Sequence, residues 1–325
     1  VADRRSGLMG TMPVFQPDGG PVLVLARGLA VAFILSVAGT ATFRTVVLPR
    51  ALGAMTPDVT GRIERALTRW LRASALGAGL GLLAWSLALT ANLASPQGIV
   101  DWAGSFRAVL SDTAFGHVLL LQAALLASAV VILGRRPGIL RWWGSGILAT
   151  AAAVAETGHG HAFAMAHGLT MLEVSEALHL WAAGVWLGGL APLLFVVLVA
   201  PPAAAAVAAR WFSPLGQVCL IVIALSALLQ GWILVASIAA LKDTAYGWTA
   251  MLKLCLYGVL FGFAVLNRYR LCPALRGSRA STARGALIAS LVVQTGFGLL
   301  VVLAAALLGQ LRPGMDMGID MGMAG

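Results

Sequence analysis

Apolar residues fill this chain in long uninterrupted blocks, not in the one-faced stripes or strict alternation of a soluble domain. Eight blocks are long enough to cross about 30 Å of hydrocarbon as helices of about 20 residues. They cover residues 22–48, 70–93, 114–134, 139–157, 172–199, 212–240, 248–267 and 286–309. The predicted fold is therefore all-α, a polytopic membrane protein with eight transmembrane helices in a bundle. Pro49, Pro96, Pro137, Pro201, Pro202, Pro273 and Pro313 fall at or just beyond block ends, where a missing N–H costs least. Gly77-x-x-x-Gly81 and Gly184-x-x-x-Gly188 space small residues so that helices can approach closely. Residues 49–69 read as a short amphipathic helix between the first two spans. No internal repeat is strong enough to claim inverted symmetry.

Composition agrees with the pattern. The 325 residues are 60% hydrophobic and only 10% charged, with a mean hydropathy of +0.91. That is more apolar surface than a soluble domain can hide. The formal charge of +10 raises the question of nucleic acid, but orientation in the membrane accounts for it. Fifteen of the 22 Lys and Arg residues lie in or beside the connections after the first, third, fifth and seventh blocks. By the positive-inside rule those connections are cytoplasmic and both termini are periplasmic. Nucleic acid is then excluded as a partner, and the bilayer is the first partner. Cys219, Cys255 and Cys272 form neither a CxxC pair nor a disulfide framework and read as small buried hydrophobes. The N-terminal residues are polar and contain Gly and Pro, without the order expected of a signal peptide.

The spans divide the chain into a periplasmic N-terminal segment (1–21), helices one to four (22–157), a His-rich periplasmic connection (158–171), helices five to eight (172–309) and a Met-rich periplasmic tail (310–325). Four of the five histidines fall between residues 156 and 190. His159, His161, Met165 and His167 gather in the outer connection, either as a solvated loop or as a copper site built from imidazole and thioether. Inside the fifth span, Glu176-Ala-Leu-His179 places a carboxylate and an imidazole on the helix face that also carries residues 172, 183, 186 and 190. Ionisable groups at that depth are expensive and read as functional. A Glu–His pair there would fix the imidazole tautomer and leave its other nitrogen for a metal, with Met171 about one turn away. In the tail, Met315, Met317, Met321 and Met323 stand on a Gly/Asp backbone with no apolar face, which suits soft-metal capture better than packing. A di-iron reading of the two Glu-x-x-His pairs lacks its further glutamates. No ATP-binding motif is present.

Over residues 155–310 the chain resembles the copper-resistance D family of bacterial inner-membrane proteins. The resemblance rests on Ser226 with Gln230, on Thr244-Ala-Tyr-Gly247, on Leu252-Lys253, on Leu266-Asn-Arg268 with Pro273, and on His179 with Trp186-Leu-Gly-Gly-Leu190. Glu176 stands where the family more often has Asp, and His167 resembles the histidine before its fifth helix. The resemblance implies copper transport across the inner membrane, as uptake from periplasm to cytoplasm, with Cu(I) as the favoured ion. It also implies a periplasmic copper-binding partner of the copper-resistance C type, and no enzymatic activity. Two other classes stay open. One is a haem-binding electron carrier with histidines as axial ligands; the other is an assembly factor that hands copper to a membrane oxidase.

Overall fold

The computed structural model describes residues 19–94, 99–134, 138–159, 171–235, 238–277 and 280–311, and the described secondary structure is all helical. The elements are α1 (Gly20–Thr42), α2 (Pro57–Ala94), α3 (Ile99–Ser111), α4 (Ala114–Leu133), α5 (Ile139–Val154), α6 (Met171–Val199), α7 (Pro202–Val235), α8 (Ile238–Asp243), α9 (Ala245–Leu266) and α10 (Ala280–Leu308). Helix α1 runs on through a π turn, Phe43–Val47, and α9 through another, Asn267–Leu271.

Seven of the described helices are long and apolar enough to cross a membrane. The fourth expected span is the exception. Its helix, α5, has 16 residues and passes into a 3-10 turn, Ala155–His159. That makes it about 24 Å long at 1.5 Å per residue, short of a 30 Å hydrocarbon layer.

Three boundaries differ from expectation. The separate amphipathic helix expected over residues 49–69 is not formed: residues 49–54 continue the turns that follow α1, and residues 57–69 are the first part of α2, a continuous 38-residue helix. Arg210 lies within α7, which begins ten residues earlier than expected and carries Pro214 inside it. Arg284 lies within α10. Its guanidinium donates to the carbonyls of Val197 (2.8 Å), Leu198 (3.0 Å) and Ala200 (3.2 Å). Those are orphan carbonyls at the end of α6, so Arg284 acts as a helix cap as well as a charge.

Helix α1 is the centre of the bundle, packed against α2, α5, α6 and α10. Glycine makes this possible where backbones touch. Gly39 of α1 lies against Gly188 and Gly189 of α6, with no room for a Cβ at Gly39 or Gly188. Gly81 meets Ala30, and Gly77 meets the ring of Phe33, so both four-residue spacings mark real helix crossings. The outer faces stay apolar, with Val131 76% and Trp232 86% exposed, as a lipid solvent allows.

The two ends of the bundle differ in chemistry. One end is rich in arginine. There Arg44 pairs with Glu64 at 2.5 Å and lies over the Trp142 ring, Arg50 lies over Trp211, and Arg72 donates to the Gly134 carbonyl. The opposite end holds His159, Glu176 and His179. The start of α1 and the end of α10 meet at this histidine end, where Gly309 lies against the Arg27 guanidinium.

Candidate metal pathway

At the histidine end the helices enclose a cavity of about 180 Å³. Helix α6 supplies one wall, because Leu172, Glu176, His179, Ala183 and Trp186 recur at three- and four-residue steps along one face. Gln230 of α7 and Tyr246, Lys253 and Tyr257 of α9 line the other side. The Arg27–Glu156 ion pair, 3.1 Å long, closes a third side between α1 and the end of α5.

The expected Glu176–His179 pair does not form. The partner of His179 is Ser226, on α7, whose Oγ lies 2.9 Å from Nδ1. Ser226 directs its single hydroxyl proton back along its own helix, to the carbonyls of Val222 (2.7 Å) and Ile223 (3.1 Å). It must then accept from the imidazole, so Nδ1 carries the proton and Nε2 keeps its lone pair. Ser175 adds a second tie between the helices by donating to the Ser226 carbonyl at 3.3 Å. The fixed tautomer expected of Glu176 thus comes from a hydroxyl, which adds no charge to the pocket.

Four carboxyl or basic groups besides His179 line the cavity: Arg27, Glu156, Glu176 and Lys253. Arg27 is held by Glu156, whose second oxygen accepts from Gln122 at 3.2 Å. Glu176 and Lys253 lie within electrostatic reach of each other across the space. The side-chain nitrogen of Gln230 is buried without a hydrogen-bond partner. Such a group inside a cavity wall is a donor waiting for a ligand or water.

The other expected site residues have different fates. Met171 is 67% exposed and is not part of the cavity wall; it lies off the face that Leu172 and Glu176 share. His159 is half-buried between the rings of Trp85 and Phe115, at centroid distances of 4.6 and 4.8 Å. Its Nε2 lies 3.3 Å from the Gln122 oxygen, and Nδ1 has no partner. Burial pushes the His159 pKa below its ordinary value, against a smaller upward pull from Glu156. His161, Met165, His167, Met315, Met317, Met321 and Met323 lie outside the described residues. Among the described residues, no three His, Cys, Asp or Glu side chains gather as a metal-ligand cluster.

Lys253, Tyr246 and Gln230 were not picked out from the sequence as site residues, yet a signal for the first two is present. Asp112-Thr-Ala-Phe-Gly116 and Asp243-Thr-Ala-Tyr-Gly247 are near-identical. Each follows a short helix, and in each the threonine caps the next helix by accepting from the glycine N–H, at 3.0 and 2.9 Å. Six residues beyond these glycines stand Gln122 and Lys253, one in the Glu156 network and the other facing Glu176. The two halves of the chain therefore place a polar side chain at the same step after the same cap.

Comparison with known proteins identifies the family. Residues 17–172 match the family described as Copper resistance protein D-like, N-terminal domain, and residues 206–308 match that described as Copper resistance protein D. The chain is 30% identical over 213 residues to Inner membrane protein YebZ of Escherichia coli (strain K12), covering 59% of this chain and 69% of that protein. This chain belongs to the copper resistance protein D family. Copper resistance protein D of Pseudomonas syringae pv. tomato is 29% identical over 266 residues, covering 74% of this chain and 83% of that protein. Copper transport protein CutJ of Bacillus subtilis (strain 168) is 28% identical over 257 residues; this is 75% of the chain but only 45% of CutJ. No solved structure matches. Membership assigns the chain to multi-pass inner-membrane proteins that handle copper, and to transport and resistance factors as opposed to enzymes.

Proposed function

We propose that this protein carries copper, as Cu(I), across the bacterial inner membrane from periplasm to cytoplasm. The observation that carries the reading is His179. Its Nε2 lone pair is left free by the Nδ1–Ser226 bond, and its ring borders the cavity that Glu176, Gln230 and Lys253 also line. Neutral imidazole is a good copper ligand, and the Glu176 carboxylate, three residues earlier on the same wall, offsets the charge of an entering cation. In this reading the histidine end is periplasmic, with α5 as the eighth crossing and both termini outside. The arginine end then faces the cytoplasm, in keeping with the positive-inside rule. His161, Met165 and His167 in the outer connection, and Met315, Met317, Met321 and Met323 in the tail, serve as capture ligands. Copper arrives on a periplasmic protein of the copper-resistance C type.

The test is uptake of radioactive copper by proteoliposomes under reducing conditions, beside the copper content of the purified protein. Copper bound at His179 with uptake above that of empty liposomes supports transport. Copper bound without uptake supports the assembly-factor reading instead. A reporter active only in the cytoplasm, fused after Gly325, should be inactive; activity there overturns the sidedness.

A further inference from the structure

Helix α9 brings a lysine to the cavity. Lys253 shares a helix face with Tyr246, two turns earlier, and Tyr257, one turn later, and all three line the space that His179 borders. Among the described residues the Lys253 ammonium makes no hydrogen bond and no ion pair, and Glu176 acts on it only across the space. The neighbouring tyrosine hydroxyl is used elsewhere: Tyr257 donates to the Leu220 carbonyl at 2.9 Å. Arg27, by contrast, is fixed on Glu156 at 3.1 Å and over the Trp85 ring.

With Arg27, Lys253, Glu156 and Glu176 all ionised, the lining is formally neutral before any metal arrives. A copper ion added to it leaves a surplus positive charge among apolar helices, which is costly. His179 cannot relieve that surplus, because its Nε2 carries no proton and Nδ1 holds its proton on Ser226. Arginine does not lose its proton in proteins. The two phenols are uncharged near neutral pH. Glu173 of α6 acts on Glu176 from outside the lining, α7 contributes the uncharged Gln230, and the α10 residues of the wall are apolar. Lysine is the basic side chain whose protonation changes readily when it is buried.

We propose that Lys253 is the resident cation of the cavity, and that a copper ion taken up by His179 replaces it by driving one proton off its ammonium. The proposal rests on the reading of His179 as the copper ligand. In the exchange the Nε2 lone pair bonds the ion, one N–H bond of Lys253 breaks with its electron pair left on nitrogen, and the proton leaves to water. Nothing is oxidised or reduced, and the formal charge of the cavity is the same before and after. Gln230 fits the neutral amine as well. Its buried side-chain nitrogen is a donor without a partner on the wall of the same cavity, and an amine can accept a hydrogen bond where an ammonium cannot. Na⁺ and K⁺ bond imidazole too weakly to displace the proton, so the lysine also keeps them out.

The test uses full-length protein in detergent with Cys219→Ala, Cys255→Ala and Cys272→Ala, so that no thiol contributes protons. Ag(I), a redox-inert stand-in for Cu(I), is titrated into weakly buffered solution with a pH indicator. His179→Ala in the same background gives the baseline for ions held elsewhere. Above that baseline the parent should release about one proton per ion, and its affinity should rise up to about tenfold per pH unit between about pH 7 and about pH 9. At about pH 7, Lys253→Met should bind about tenfold tighter without releasing a proton, and Lys253→Arg, whose charge cannot leave, should bind about tenfold more weakly. Where Lys253→Met does not fold, Lys253→Gln replaces it, and the proton count of the parent needs no lysine variant. A parent that binds Ag(I) at His179 and releases no proton, or lysine variants that bind alike, overturns the exchange and leaves the copper site standing. Release that is lost in Glu176→Gln and kept in Lys253→Met assigns the proton to Glu176 and overturns it too. A parent that binds no more Ag(I) than His179→Ala removes the copper reading, and the exchange with it.

Discussion

His179 Nδ1 donates a hydrogen bond to Ser226 Oγ, 2.9 Å away on the neighbouring helix, and Ser226 in turn donates its hydroxyl to the Val222 carbonyl. The chain of two hydrogen bonds decides which ring nitrogen can meet a metal. Replacing Ser226 with Ala removes the acceptor and frees the ring to adopt the other tautomer. Loss of such a supporting partner typically costs 10–100-fold in metal affinity, so about that loss is expected for Ser226→Ala. Ser226→Thr keeps the hydroxyl and should retain most of the affinity. Copper titration of the purified variants by a competing chelator checks both.

Glu176 and His179 should separate in their effects, because the structure does not join them by a hydrogen bond. His179→Ala removes the nitrogen and should abolish copper binding in the cavity. Glu176→Gln keeps the shape and loses only the charge, so it should weaken binding while the protein stays folded. Had the two been a buried pair, each variant would leave a partner unsatisfied and lower stability in step. Thermal unfolding in detergent, measured beside copper binding, tells the cases apart. A folded and fully active His179→Ala protein would remove the metal assignment.

Much of the architecture is legible in the apolar blocks, because lipid demands helices and helices of a set length. The crossings at Gly81 and Gly188 follow from small residues at helical spacing. What the blocks do not show is where a helix extends beyond the membrane. Residues 57–69 are polar enough to look separate, yet nothing between them and residue 70 breaks the helix. The cavity was half legible. Periodicity places Glu176, His179 and Trp186 on one face, since that needs only the helical repeat. It does not reveal that Ser226, 47 residues later, rather than Glu176, meets the imidazole, because that depends on how α6 and α7 cross. Nor does it reveal Lys253, unless the two Asp-Thr-Ala-aromatic-Gly caps are aligned.

The Arg27–Glu156 pair should be a structural keystone between α1 and the end of α5. Both side chains are buried, at 9% and 6% exposure, and Arg27 also lies over the Trp85 ring at 5.2 Å. Removing one partner leaves an uncompensated buried charge, so Glu156→Gln or Arg27→Met alone should destabilise by roughly 3–5 kcal/mol. Replacing both by apolar residues removes the charge altogether and should recover most of that loss. Midpoints of thermal unfolding for the two single variants and the double variant give the comparison. Equal destabilisation in all three would show that the pair contributes packing and not charge balance.

His159 gives the histidine end a pH dependence whose sign follows from burial. Enclosed by Trp85 and Phe115, its imidazole is disfavoured as a cation, and its pKa in the folded protein lies below the ordinary 6.5. Glu156 pulls the other way and Arg27 reinforces the lowering, but burial dominates. The unfolded chain therefore takes up a proton at this residue before the folded protein does. The stability His159 contributes is complete above about pH 6.5 and is lost as pH falls through the lower folded value. Thermal unfolding in detergent should show a midpoint that drops as the buffer is acidified from neutral. His159→Phe keeps an aromatic ring between Trp85 and Phe115 and has no proton to take up, so its midpoint should change less over the same range. It should also leave Gln122 free to hold Glu156. If the parent and His159→Phe lose stability in parallel, the acid sensitivity belongs to the carboxylates and the imidazole is a packing group alone.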